Sequence, residues 1–149
     1  MDWYYPVLAG RVRGAAALER LSSRWREFVV PGLGVRCVSD EPWVTGAETC
    51  ELVIAVATAD QSRALEVYVD IQHLRDPDGA YWTGWQFADR THFPAEHSSW
   101  TAAAMILAAD VLSGTTPGAG LFRDAGAEDL VITPDDPDLC GCSLGLAER

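Results

Sequence analysis

The chain has 149 residues, 48% of them hydrophobic, and a formal net charge of −11. That length and apolar content suit one domain with a real core and exclude a disordered chain. The acidic balance excludes a nucleic-acid partner, because neutralising phosphates takes clustered cations. The lysine-plus-arginine total of 11 is all arginine, which excludes P-loop and Schiff-base chemistry, since both need a lysine amine. The apolar runs are too short to span a bilayer, and no charged segment leads an apolar one at the start. A soluble, cytoplasmic protein with no membrane span is expected.

The first helix is expected from about Asp2, an N-cap, to about Gly10, with Pro6 either bending it or marking a later start. The second is expected over 15–28, with Leu18, Leu21, Trp25 and Phe28 on one stripe and Glu19, Arg20, Ser23 and Glu27 facing water. Pro31 to Gly34 breaks it, and a short hairpin follows around Val35 to Val38. A third helix begins at Thr45, where Thr45 and Glu48 have the spacing of a capping box. Its run Leu52 to Ala57 is apolar on every face and reads as a helix buried all round. A fourth, amphipathic helix follows Asp60. Residues 75–98 read as a long loop, with a turn at Asp78-Gly79 and a strand over Tyr81 to Phe87. The fifth helix, Ser99 to Leu112, is again almost wholly apolar. Two domains of order are expected: an ordered body over 1–123 and an acidic tail over 124–149, rich in Pro and Gly and carrying seven acids against one Arg.

The loop-and-helix unit repeats. Glu41 to Glu48 leads into Leu52 to Ala57, and Phe93 to Trp100 leads into Ala104 to Ala109. The two align without a gap about 50 residues apart, and a weaker copy opens the chain at Asp2 to Leu8. A fixed period of that size, with buried helices alternating with amphipathic ones, points to an all-α helical repeat. The expected architecture is an α/α-toroid fragment of about three helical hairpins with short β-hairpin loops.

The segment from Arg63 through Tyr68, Gln72 and Gly79 to Trp82 resembles the QW repeat of squalene and oxidosqualene cyclases. That resemblance implies that Gln72 and Tyr81 or Trp82 tie one hairpin to the next. More widely, Met1 to Leu8, Val30 to Asp40, Trp43 to Leu52, Asp78 to Gly84 and Trp100 to Ala104 resemble the C-terminal half of actinobacterial prenyltransferase-like proteins. Those belong to the terpenoid-cyclase and prenyltransferase toroid group. The resemblance implies a cavity lined by inner helices that takes an isoprenoid or another apolar molecule. It also implies that the chain starts where such proteins are half complete, so self-association or pairing with a missing N-terminal half is expected. Two of the group's patterns are absent. There is no DxDD motif, since Asp135-Asp136-Pro137-Asp138 has the wrong order. The Asp-x-Cys zinc pattern also fails, since Cys37 precedes Asp40.

Catalysis, if present, would fall to carboxylates. Glu48 and Glu51 lie one turn apart. Glu48 is either a helix cap or a site acid. Glu51, beside an apolar run, either faces a cavity or pairs with an arginine such as Arg36. Asp2 aligns with Glu48 in the repeat, and Asp2, Glu51 and Glu96 are the candidate catalytic acids. Tyr4, Tyr5, Trp82 and Trp100 form a candidate aromatic wall, either for binding a ligand or for packing repeats together. Arg36 is a candidate clamp for an anionic group. No metal and no cofactor is expected: Cys37, Asp40, His92 and His97 lack ligand spacing, and Cys140 with Cys142 is too small a set. A second reading is carbohydrate chemistry, in which paired carboxylates flank a glycosidic bond and aromatics stack on the sugar. A third is a non-catalytic half-toroid that binds a partner protein.

Overall fold

The computed structural model describes residues 2–122; Cys140, Cys142 and the acidic tail lie outside them. The chain opens with a single turn, α1 (Tyr5–Leu8), with Pro6 in its first turn, where a missing N–H costs nothing. Then come α2 (Gly14–Ser23) and α3 (Trp25–Phe28), separated at Arg24, where the backbone leaves helical geometry at φ −122° and ψ 13°. The single helix expected over 15–28 is therefore two. Within α2, Leu18 faces outward, while Ala17, Leu21 and, in α3, Phe28 are buried.

Three short strands follow: β1 (Val29–Val30), β2 (Gly34–Arg36) and β3 (Trp43–Thr45). Then come α4 (Gly46–Ala57), α5 (Gln61–Asp70) and a 3-10 turn over Ile71–Leu74. Two more strands, β4 (Gly84–Gln86) and β5 (Thr91–His92), precede α6 (Ser99–Ser113) and a closing 3-10 turn over Pro117–Gly120. The helix starts carry ordinary signals. The Asp60 carboxylate accepts the Arg63 amide at 3.0 Å, and the Ser98 hydroxyl accepts the Thr101 amide at 3.1 Å, each satisfying an orphan donor. Gly114, left-handed at φ 65°, ends α6 as a glycine C-cap does.

The five strands form one antiparallel sheet in the order β1-β2-β3-β4-β5. The architecture is thus mixed α and β, and the expected all-α toroid of stacked hairpins is overturned. The sheet makes the difference. It joins β3 to β4 across the whole α4–α5 hairpin, pairing Trp43 with Gln86, Val44 with Trp85 and Thr45 with Gly84. The expected hairpin around Val35 to Val38 and strand over Tyr81 to Phe87 overlap β2 and β4, but these are parts of one sheet and not separate loops between helices.

The core is a single cluster centred on α4. Every residue from Gly46 to Ala57 is buried except Glu51, so the expectation of a helix covered all round holds here. Around it stand α5, α6, α1 and β2. Leu52, Val53 and Val56 are essentially sealed, each contributing about 1.5–3 kcal/mol of burial. The close approach of β2 to α4 requires Gly34. At φ 117° it already has a conformation that side chains avoid, and a Cβ there would sit 2.8 Å from both Ile71 and Thr49. The second copy of the repeat behaves differently. Helix α6 packs Ala104, Met105, Ala108 and Val111 inward, but Ile106 is 69% exposed, and Leu107 and Trp100 also face outward. An inner ring of fully buried helices is not what the chain forms.

The QW-like pair does meet, but locally. The Tyr81 hydroxyl donates to Gln72 Oε1 at 2.7 Å, and Gln72 Nε2 donates to the Tyr68 carbonyl at 3.0 Å. Both bonds, with the Arg75–Tyr81 bridge, close the loop after α5. Neither ties one hairpin to another.

Candidate functional site

Two glutamates at the start of α4 face α1 and the β2–β3 connection. Thr45 is the N-cap by position, but it makes no side-chain capping bond. Its backbone is committed to β3, paired with Val35 and Gly84, and its hydroxyl is buried without a hydrogen-bond partner. The first turn is anchored instead by Thr49, whose hydroxyl donates to the Thr45 carbonyl at 2.5 Å and accepts the Val35 amide at 2.9 Å. The capping box is therefore not formed. Glu48, only 7% exposed, has its Oε1 3.7 Å from the Cys37 thiol, which donates to it.

Glu51, one turn further on, is half-buried. Its Oε2 accepts the Tyr4 hydroxyl at 3.0 Å, and the same hydroxyl lies 3.4 Å from the Glu48 carbonyl. Tyr4 is fully buried, wedged edge-on between Trp3 at 5.6 Å and Tyr5 at 5.0 Å. Among the described residues no Arg or His side chain pairs with either carboxylate. Burial, and then the Glu51 charge, hold the Tyr4 phenol far above its ordinary range. The same causes in the same order push Tyr5 up to about 12, and burial followed by Glu48 raises the Cys37 thiol. Two phenols and a thiol thus stay protonated around two carboxyl groups, as neutral donors. That arrangement orients carboxyl groups without neutralising them, which is what general acid–base chemistry asks of a site.

The structure brings together Tyr4, Tyr5 and Glu51 of the residues singled out from sequence. Asp2 is exposed, and its carbonyl receives Arg20 at 3.3 Å. Glu96 acts through its backbone, its carbonyl accepting the Thr83 amide at 3.0 Å and the Thr83 hydroxyl at 3.2 Å. Arg36 does not pair with Glu51. It donates to the Ser39 carbonyl at 3.0 Å and lies 5.3 Å over the Phe87 ring. Trp100 stands in the open on α6.

Trp82 belongs to a separate row of rings. It stacks on His92 at 4.4 Å and touches His97 at 4.0 Å, while Trp85 meets His92 at 5.0 Å and His73 at 6.1 Å. His97 Nε2 sits 2.9 Å from Asp76. Burial lowers the His92 pKa. Among the described residues no cluster of three His, Cys, Asp or Glu groups could hold a metal ion, and no helix is long and apolar enough to cross a membrane. Sequence reasoning missed the contact of Cys37 with Glu48, and it divided Glu48 between a cap and a site acid. No local signal in the sequence marks the first, which depends on how β2 returns against α4.

No family model matches the chain. The chain is 60% identical over 124 residues to a curated protein of Mycolicibacterium hassiacum named MMP endo-(1,4)-3-O-methyl-alpha-D-mannosidase. The match takes in 83% of this chain and 34% of the relative, so the chain spans about a third of the relative's length. A relative of that name overturns the prenyltransferase-like and terpenoid-cyclase resemblance, and the isoprenoid ligand inferred from it goes too. Of the segments that carry the resemblance, Val30 to Asp40 holds β2 and Trp43 to Leu52 opens with β3, both strands of the sheet.

Proposed function

We propose that this chain takes part in hydrolysing α-mannosidic linkages, with Glu51 as the proton-exchanging carboxyl group. Glu48 is the second acid, its charge placed to stabilise the oxocarbenium-like transition state of glycoside cleavage. Tyr4 positions Glu51, and the Cys37 thiol positions Glu48. The observation that carries the reading is the pair itself: two carboxyl groups one helical turn apart, held by neutral donors, with Glu51 open to solvent on one side. A structural ion pair would have brought an arginine to them. The 60% identity to a named mannosidase supports the choice of mannosides, and that relative's name supports an internal (1,4) linkage next to 3-O-methylated sugars.

The test is cleavage of an α-(1→4)-linked 3-O-methylmannose oligosaccharide, read by mass spectrometry of the products. The wild-type chain should cleave it. Glu51→Gln should lower the rate by about 10²–10⁴-fold, the range for losing a general acid or base, with Glu48→Gln also impaired. A wild-type chain that neither binds nor cleaves the oligosaccharide, or a Glu51→Gln chain of undiminished rate, would refute the proposal.

A further inference from the structure

The sheet carries a second feature that the glutamate pair does not use. Trp43, Gln86 and Thr91 lie directly opposite one another on β3, β4 and β5, so their side chains share one face. With Glu41, Asp89 and Phe93 they line a cleft of about 370 Å³, within the size range of small-molecule sites. Its shape is fixed by the backbone. The Trp43 indole N–H donates to the Phe93 carbonyl at 2.7 Å, and the two rings meet edge to face at 5.7 Å. Gly84 lies under them, where a Cβ would stand 2.6 Å from Trp43 Nε1 and 2.9 Å from the Phe93 carbonyl. Gln86 is also set in place, since its Oε1 accepts the Ala88 amide at 2.9 Å and the Asp89 amide at 3.2 Å.

The chemistry of this cleft is specific. The Trp43 N–H is already used, so the indole offers the cleft its apolar face. Phe93, 55% exposed, offers another. The carboxylates of Glu41 and Asp89 are acceptors only. Thr91 supplies a hydroxyl, and the Gln86 carboxamide, with its oxygen engaged, has its NH₂ as a donor. Among the described residues no basic side chain lines the cleft, which disfavours an anionic ligand. A simple cation would satisfy the carboxylates but leave the Gln86 and Thr91 donors unmatched. A neutral ring with a C–H face and several hydroxyls meets all of these groups: its apolar face lies on the aromatics, and its hydroxyls donate to carboxylates and accept from the amide.

We propose that this cleft is a pyranose-binding subsite that holds one neutral sugar unit of a longer chain away from the bond that is cut. The choice of sugar rests on the function proposed above. Because β3 runs straight into α4, the subsite and the Glu48–Glu51 pair belong to one rigid strand–helix unit. An internally cleaving enzyme needs such a grip on units beyond the scissile one.

The experiment follows backbone amide resonances of the full chain during titration with methyl α-D-mannopyranoside, with arginine as a cationic control. The subsite predicts saturable shifts at Trp43, Gln86, Asp89 and Thr91, and none of that pattern with arginine. Phe93→Ala and Asp89→Asn, both at exposed positions, should each weaken the mannoside about tenfold or more, with the remaining spectrum unchanged. Glu51→Gln should bind at the cleft as the wild type does while losing cleavage. If the mannoside produces no shift at the cleft although Glu51→Gln abolishes cleavage, the subsite falls and the catalytic reading stands. If the cleft responds but Glu51→Gln still cleaves, the catalytic reading falls and the subsite stands. Equal response to arginine would overturn the sugar assignment.

Discussion

Replacing Tyr4 with Phe removes one oxygen from the centre of the proposed site and leaves the packing in place. The ring keeps its edge contacts with Trp3 and Tyr5. What is lost is the 3.0 Å bond to Glu51. A hydrogen bond to a charged group contributes about 1.5–3 kcal/mol. Glu51 is half-buried and recovers part of that from water, so the lower end, about 1.5 kcal/mol, is expected. For a chain of this size that lowers Tm by about 3–6 °C, measurable by calorimetry or by a urea midpoint that shifts without a change in slope. In the same variant kcat on the mannose oligosaccharide should fall while KM stays level, because a carboxyl group that has lost its orientation still permits binding. A variant as stable as the wild type with an unchanged kcat would show that the bond neither holds the fold nor positions the acid. A collapse comparable to deleting a core side chain, about 2–5 kcal/mol, would show that Tyr4 acts through packing.

Gly84→Ala places a Cβ 2.6 Å from Trp43 Nε1 and 2.7 Å from the Val44 carbonyl. Since part of the obstacle is backbone, about 1–3 kcal/mol of destabilisation is expected, with a changed tryptophan emission; thermal unfolding followed by fluorescence reads both. Alkaline pH should weaken the fold, with a definite sign. Burial pushes the Cys50 thiol from 9.0 up to about 12, so the unfolded chain releases that proton first. The stabilisation is whole below pH 9 and is lost as pH rises from 9 towards 12. Tyr5 adds the same slope between 10 and about 12. Urea midpoints at stepped pH should fall across that window, and Cys50→Ala should flatten the fall; a Cys50→Ala slope equal to the wild type would refute the assignment.

Helices α4, α5 and α6 were legible because their signals are local. Asp60 and Ser98 cap as their positions suggest, and the Leu52–Ala57 run is sealed as its uniform apolarity implies. The expected hairpin around Val35 to Val38 and strand over Tyr81 to Phe87 overlap β2 and β4, but their joining with β1, β3 and β5 into one sheet was not legible, because strands of two or three residues are too short to display a period of two. Pairing β3 with β4 also depends on chain that leaves and returns around α4 and α5. That pairing explains the Thr45 error as well, since a residue held in a strand on both sides cannot turn its hydroxyl to the helix it precedes. Ile106 shows the limit of hydrophobicity alone: α4 and α6 read alike, yet only α4 has neighbours all round. At the candidate site, Glu51 stands out in the sequence as an acid beside an apolar run. Its partner Tyr4 lies 47 residues away, a distance that no local pattern spans.

The central claim is that the bond to be broken lies against Glu51. A crystal structure of the inactive Glu51→Gln chain with the α-(1→4)-linked 3-O-methylmannose oligosaccharide tests it most directly. The account predicts a glycosidic oxygen within hydrogen-bond reach of residue 51, about 2.6–3.2 Å, with Glu48 beside the same sugar. An oligosaccharide bound with no linkage near α4 would contradict it.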